Sequence, residues 1–209
     1  MANRAVILGA IAATLGVAAL YSGSGRLSGH GVGIGGGGCS IEPIAAEDGV
    51  AAVHADCRWL VPAERVTALL EDVNGHGRFF TALAETSIIG KSGDHLFVRE
   101  VHHAKGMSDR EVVVEWWAES LPDGHRYRWR KAADQSAVSG TRVQVAETQG
   151  YWEVVREGEQ THLVYEMHYL PGGNIPAFLV RMFQAPGIKN ALGELRDAAQ
   201  SDKLFARRD

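Results

Sequence analysis

PGGNIPAFLVRMFQAPGIKNALGELRDAAQ, residues Pro171 to Gln200, decides how this chain folds. Gly172-Gly173 is a turn signal, Asn174 suits a helix N-cap, and Pro176 falls in the first turn, where a missing N–H is tolerated. Phe178, Leu179, Met182 and Phe183 then recur at helical spacing, followed by Ile188, Leu192, Leu195 and Ala199. A continuous helix over this stretch would be about 35 Å long at ~1.5 Å per residue. Pro186-Gly187 predicts a kink or a break within it. The helix comes after a series of strand-like segments, and it gives a curling sheet something to close on.

Those segments alternate. Tyr127 and Trp129 interleave with Arg126, Arg128 and Arg130; Leu163, Tyr165, Met167 and Tyr169 interleave with His162, Glu166 and His168. Period-two strands with one apolar face belong to antiparallel sheets. Short turns at Ser92-Gly93-Asp94, Pro122-Asp123-Gly124 and Glu157-Gly158-Glu159 agree, because parallel crossovers need more residues. The predicted strands are 49–60, 85–91, 95–104, 108–120, 126–132, 141–156 and 161–170. A helix at 62–73 carries Val66, Leu69, Leu70 and Val73 on one side, and Phe79-Phe80 opens a further short apolar piece. The layout is α+β, with helices against one face of an antiparallel sheet.

The chain has 209 residues and a net charge of -4. That suits one domain plus an appendage, and no basic block points to nucleic acid. Residues 1–25 have a single early charge followed by an apolar run from Ala5 to Leu20. This is the pattern of a signal sequence or of a retained membrane anchor. Residues 26–46 are read as a glycine-rich linker, whose entropy keeps it a flexible tether. Cys39 and Cys57 are too few for a disulfide framework. They form one bridge if the chain is exported, or they are free thiols.

Three stretches carry a family resemblance. Ser108-Asp109-Arg110-Glu111-Val112 resembles the Arg-Asp-aromatic strand motif of START-like domains, with Glu for Asp and Val for the aromatic residue. Pro171-Gly172-Gly173-Asn174-Ile175-Pro176, followed by Phe178-Leu179-Val180, resembles that family's turn into its last helix. Gly150-Tyr151-Trp152 is similar to its late-strand Gly-x-Trp. The chain thus resembles the START/polyketide cyclase (SRPBCC) superfamily over residues 47–203. The resemblance implies a helix-grip fold, in which a curved antiparallel sheet wraps a long C-terminal helix around an apolar cavity. It implies lipid binding without cofactor or metal; the alternative is a cyclase or aromatase acting on a polyketide-like substrate. Partners on this view are a sterol, phospholipid or other lipid, and a membrane through the N-terminal apolar segment.

A lipid cavity needs apolar walls and few polar anchors. Glu100, sharing a strand face with Leu96, Val98 and His102, is the candidate anchor for a hydroxyl head, unless it faces solvent. Trp116, Trp129, Tyr165, Met167, Phe178, Met182 and Phe183 are candidate lining, in competition with plain core packing. Arg110 reads as a structural ion-pair partner rather than a ligand contact. His102 and His103 are adjacent on a strand, so they face opposite ways and hold no metal together. No nucleophile elbow, Walker loop or catalytic Cys-His pair is present, and Ser136 to Gly140 is a loop. A non-enzymatic binding protein is expected.

Overall fold

A computed structural model describes residues 38–44, 50–103, 106–175 and 177–205. The expected signal or anchor at 1–25, and the glycine-rich stretch up to residue 37, lie outside these. Among the described residues no helix is long and apolar enough to cross a membrane.

The chain runs β1 (Cys39–Ile44), β2 (Ala51–Trp59), α1 (Ala63–Glu71), a 3-10 turn (Val73–Arg78), β3 (Leu83–Ser92) and β4 (His95–His102). It continues with β5 (Arg110–Leu121), β6 (Gly124–Lys131), β7 (Val143–Gln144), β8 (Glu147–Glu157) and β9 (Gln160–Leu170), and ends in α2 (Ala177–Gln200) and α3 (Asp202–Phe205). The strands form one curved sheet in the order β1-β2-β9-β8-β6-β5-β4-β3, with β7 beside β5. Every pairing along that path is antiparallel, and β5 with β7 is parallel. This is the expected α+β helix-grip architecture.

Register assigns the faces. Trp116 opposes Trp129, Tyr127 opposes Trp152, and Trp152 opposes Tyr165, so these rings share one side of the sheet. They join Val98, Val114, Leu163, Ile188, Leu192 and Leu195 in a single core cluster. The intervening residues, including Arg126, Arg128 and Glu153, face the other way and pair with one another. Ile188, Leu192, Leu195 and Ala199 are buried, as their spacing predicts.

The structure corrects several boundaries. β1 falls inside the stretch read as linker, because the alternation in Cys39-Ser40-Ile41-Glu42 is only four residues long, follows a glycine run and stops at Pro43. It pairs along only one edge, which tolerates Pro43. The predicted strand 141–156 divides into β7 and β8, because the chain changes partners there. The Val145 N–H bonds to the Glu111 carbonyl, and the Ala146 N–H to that of Leu170. Helix α2 runs unbroken through Pro186. That residue is exposed, so water can serve the carbonyl that a proline leaves without a donor.

Two local devices hold this frame. Cys39 and Cys57, register partners in β1 and β2, are joined as a disulfide with Cα atoms 4.0 Å apart. The free-thiol alternative is thereby excluded, and the Trp59 indole N–H is donated to the Cys39 sulfur at 3.4 Å. The second device is Gly150. A Cβ at this position would collide with the Glu166 carbonyl and come within 2.5 Å of the Trp129 ring. Only glycine lets that indole lie flat on β8.

Reducing the disulfide should destabilise the fold by about 3 kcal/mol, because the bridge closes a loop of sequence separation 18. Paired thermal melts with and without reductant should show Tm falling by roughly 6–12 °C. The Gly150→Ala variant should lose about 1–3 kcal/mol by overpacking. Its Trp fluorescence should shift as Trp129 leaves its seat, and an unchanged melt and spectrum would refute that account.

Candidate functional site

Between α2 and the concave face the core is incomplete, leaving a cavity of about 310 Å³. The strands supply most of its wall through alternation alone. Glu100 and His102 come from β4, Trp116 from β5, Trp129 from β6, and Tyr165 and Met167 from β9, and all six line the cavity. Phe178, Met182 and Phe183 lie on α2, but their side chains are outside the described residues; Val180, Ile188 and Ala191 represent α2 in the wall. The rings form a ladder across the sheet: Trp116 to Trp129 at 5.9 Å, Trp129 to Tyr165 at 5.9 Å, and Tyr165 to Trp152 at 4.0 Å between centroids.

Several of the polar groups in this wall are tied to one another. His102 Nε2 lies 2.9 Å from a Glu100 carboxylate oxygen, and His102 Nδ1 lies 3.0 Å from the Tyr169 hydroxyl. A carboxylate only accepts, so Nε2 carries the proton of the neutral ring, and Nδ1 accepts from the Tyr169 O–H. The result is a chain from acid to imidazole to phenol on the inner surface. The Trp129 N–H is donated to Thr148 Oγ1 at 3.2 Å, and the Tyr165 hydroxyl to the Met167 sulfur at 3.1 Å. Burial pushes the Tyr165 and Tyr169 hydroxyls well above their ordinary pKa, with the Glu100 charge adding to the effect, so both stay protonated.

Glu100 therefore faces the cavity and not solvent. His103 also reaches it, contrary to the alternation rule, because β4 ends at His102. Its ring bonds Asp109 at 2.9 Å at the rim. Among the described residues no group of three or more His, Cys, Asp or Glu is arranged to hold a metal ion.

Arg110 contradicts its expected role. It is only 6% exposed and lines the cavity. The ion pairs belong instead to its neighbour Glu111, which takes Arg99 and Arg142 on the opposite face. Burial opposes the Glu111 charge, but the Ser139 hydroxyl and amide, with Arg99, hold its carboxyl below the usual range. Sequence reasoning also passed over Tyr169, Trp152 and His76. Tyr169 continues the period of Tyr165 and Met167, and Trp152 stood in the quoted Gly-x-Trp. His76 had no such signal, lying between the predicted helix at 62–73 and the short apolar piece at Phe79-Phe80.

His76 is 3% exposed, packed edge-on against Phe80 and Trp116, and its Nε2–H is donated to the Leu70 carbonyl at 3.0 Å. Burial lowers its pKa from 6.5, with the Glu100 charge opposing. The unfolded chain thus takes up a proton near pH 6.5 that the folded chain refuses. Stability from this group is complete above about pH 6.5 and declines as pH falls below it. Urea titrations across that window should show the decline in the parent protein and a flatter profile in His76→Gln.

Comparison with known proteins follows the same lines. An uncharacterised protein of Pseudomonas aeruginosa is 29% identical over 139 residues, covering 65% of this chain and 68% of that one. A solved STAR-related lipid transfer protein from Xanthomonas axonopodis superposes with a TM-score of 0.71 at 19% identity, covering 78% of this chain and 94% of that one. The Zhui aromatase/cyclase from Streptomyces sp. R1128 does so with a TM-score of 0.52 at 16% identity, covering 72% and 91%. At these identities the two structures speak for the fold alone. The family model described as polyketide cyclase / dehydrase and lipid transport matches residues 52–200, which include the whole cavity wall. The chain belongs to that family.

Proposed function

We propose that this protein binds a hydrophobic molecule in the cavity under α2 and carries it as a lipid-binding module. The observation that carries this reading is the cavity itself: about 310 Å³, walled mostly by aromatic and aliphatic side chains, with a few polar groups gathered around Glu100, His102 and Arg110. Such a space favours apolar guests, at about 25 cal/mol per Å² of surface removed from water. Glu100, His102, Trp116, Trp129, Tyr165 and Met167 are the proposed contacts, with Phe178, Met182 and Phe183 on the helix. Export of the chain, by a signal or anchor at 1–25, belongs to the same proposal. The Cys39–Cys57 bridge supports it, because disulfides persist in oxidising compartments.

A second reading has one observation in its favour. The Glu100–His102–Tyr169 chain is a proton-bearing relay inside an apolar cavity, as a cyclase or aromatase acting on a polyketide-like substrate would need. Turnover of a polyketide-like substrate that is lost in His102→Asn, with ligand uptake retained, would favour the enzyme.

Native mass spectrometry of the purified chain, with solvent extraction of what it holds, tests the binding reading. The expected result is one small hydrophobic molecule per chain, or its uptake after delipidation. Ala191→Phe, which places a ring into the cavity from α2, should lower occupancy about tenfold, equivalent to ~1.4 kcal/mol, while circular dichroism stays native. Folded protein that takes up no fatty acid, sterol or phospholipid would sink the proposal.

A further inference from the structure

The cavity is not evenly apolar. At the end where β4 stops at His102 and β5 begins at Arg110, these two residues are cross-strand partners and share the inner face. Arg110 is 94% buried there, from a fractional exposure of 6%. One of its terminal nitrogens donates to the Ser108 carbonyl, while its Nε is buried and bonded to nothing. Among the described residues no carboxylate forms an ion pair with it. The acids nearest in sequence and register are already engaged: Asp109 bonds His103, Glu111 points to the other face and holds Arg99, and Glu100 bonds His102.

A guanidinium does not shed its proton in a protein, so this charge stays. A buried cation without an anion is costly, and the cost is relieved only by a partner with matching geometry. The planar fork of arginine fits two oxygens side by side. The remaining wall decides what those oxygens belong to. At ~30 Å³ per water in the liquid, about 310 Å³ is roughly ten water volumes. That is room for one chain or a compact ring system behind a head.

Resting on the reading of this cavity as a ligand site, we propose that its guest is a single-chain amphiphile with a carboxylate head. The head seats on Arg110 at the His102 end, beside Tyr169, and the tail runs inward along Trp116, Trp129 and Trp152. Glu100 stays bonded to His102 and orients that ring rather than contacting the head. This assigns Arg110, not Glu100, as the residue that selects the head group.

The test uses the delipidated full chain and four probes of equal tail length: dodecanoic acid, its methyl ester, dodecanol and dodecyl phosphate. Binding is followed by Trp fluorescence and calorimetry. Dodecanoic acid should bind at least about tenfold tighter than the ester and the alcohol, a margin of ~1.4 kcal/mol. Arg110→Gln should erase that margin, bringing acid binding to the level of the alcohol in the same variant, and Arg110→Lys should keep part of it. In the ligand-free state Arg110→Met should raise Tm, which a residue serving a structural ion pair would not do. Equal binding of acid, ester and alcohol would overturn the head-group assignment and leave the cavity reading standing. Tighter binding of dodecyl phosphate than of dodecanoic acid would overturn the carboxylate assignment alone. Folded protein that binds none of the four would overturn the cavity reading, and this inference with it.

Discussion

Ile188, Leu192, Leu195 and Ala199 project from the second half of α2 into the core, where this helix meets β2 and the buried side of α1, and α1 in turn packs on β8 and β9. One helix is about 10 Å wide with its side chains, and the concave face of eight consecutively paired strands is broader than that. The C-terminal half of α2 and α1 fill one part of the hollow. The rest is lined by rings that lean on one another. The cavity is thus a consequence of how far the helix can reach. Large aromatic side chains suit this position, because each makes contact along the sheet while leaving its other face open.

The same strands sort charge between their two faces. On the outer face Glu115 meets Arg130 and His95, Glu119 meets Arg128, and Glu153 meets Arg126. Arg126 and Arg128 also lie over the Tyr151 ring. Exposed pairs of this kind contribute about 0–1 kcal/mol each, so their role is to keep the outer face wet and the register single. Inside, the polar groups are few and bonded in sequence from Glu100 through His102 to Tyr169. A one-residue slip of β4 would turn Glu100 and His102 outward and bring Arg99 into the cavity. The register that builds the outer ladder is therefore also what aims the inner chain.

Much of this was legible in the residues. The alternation of Tyr127 and Trp129 with arginines, and of Leu163, Tyr165 and Met167 with polar residues, assigned both strand and face. The glycine-containing turns marked the hairpins. β1 was not legible, since its alternation covers only Cys39 to Glu42, between a glycine run and Pro43. The break between β7 and β8 was hidden because a switch of partners leaves no trace in hydropathy. Arg110 was misjudged for a related reason. Sequence places it beside two acids, Asp109 and Glu111, and adjacency along a strand means opposite faces. Its true neighbour, His102, is fixed by the cross-strand register. His76 was missed because it enters the cavity wall from a 3-10 turn, where neither period applies.

The position of the disulfide follows from the weakness of the strand it holds. β1 is six residues long, lies at the sheet edge and has Pro43 within it, so its ladder to β2 is short and lacks one donor. Cys39 is its first residue, and Cys57 is fully buried in β2, which in turn pairs with β9 over nine positions. A pull arriving through the chain before Cys39 is therefore passed by a covalent bond into a central strand and not onto the edge ladder. β1 also contacts α2, so fraying at this edge would loosen the support of the helix that roofs the cavity. By locking the first residue of the edge strand to β2, the bridge holds β1 in place beside that helix.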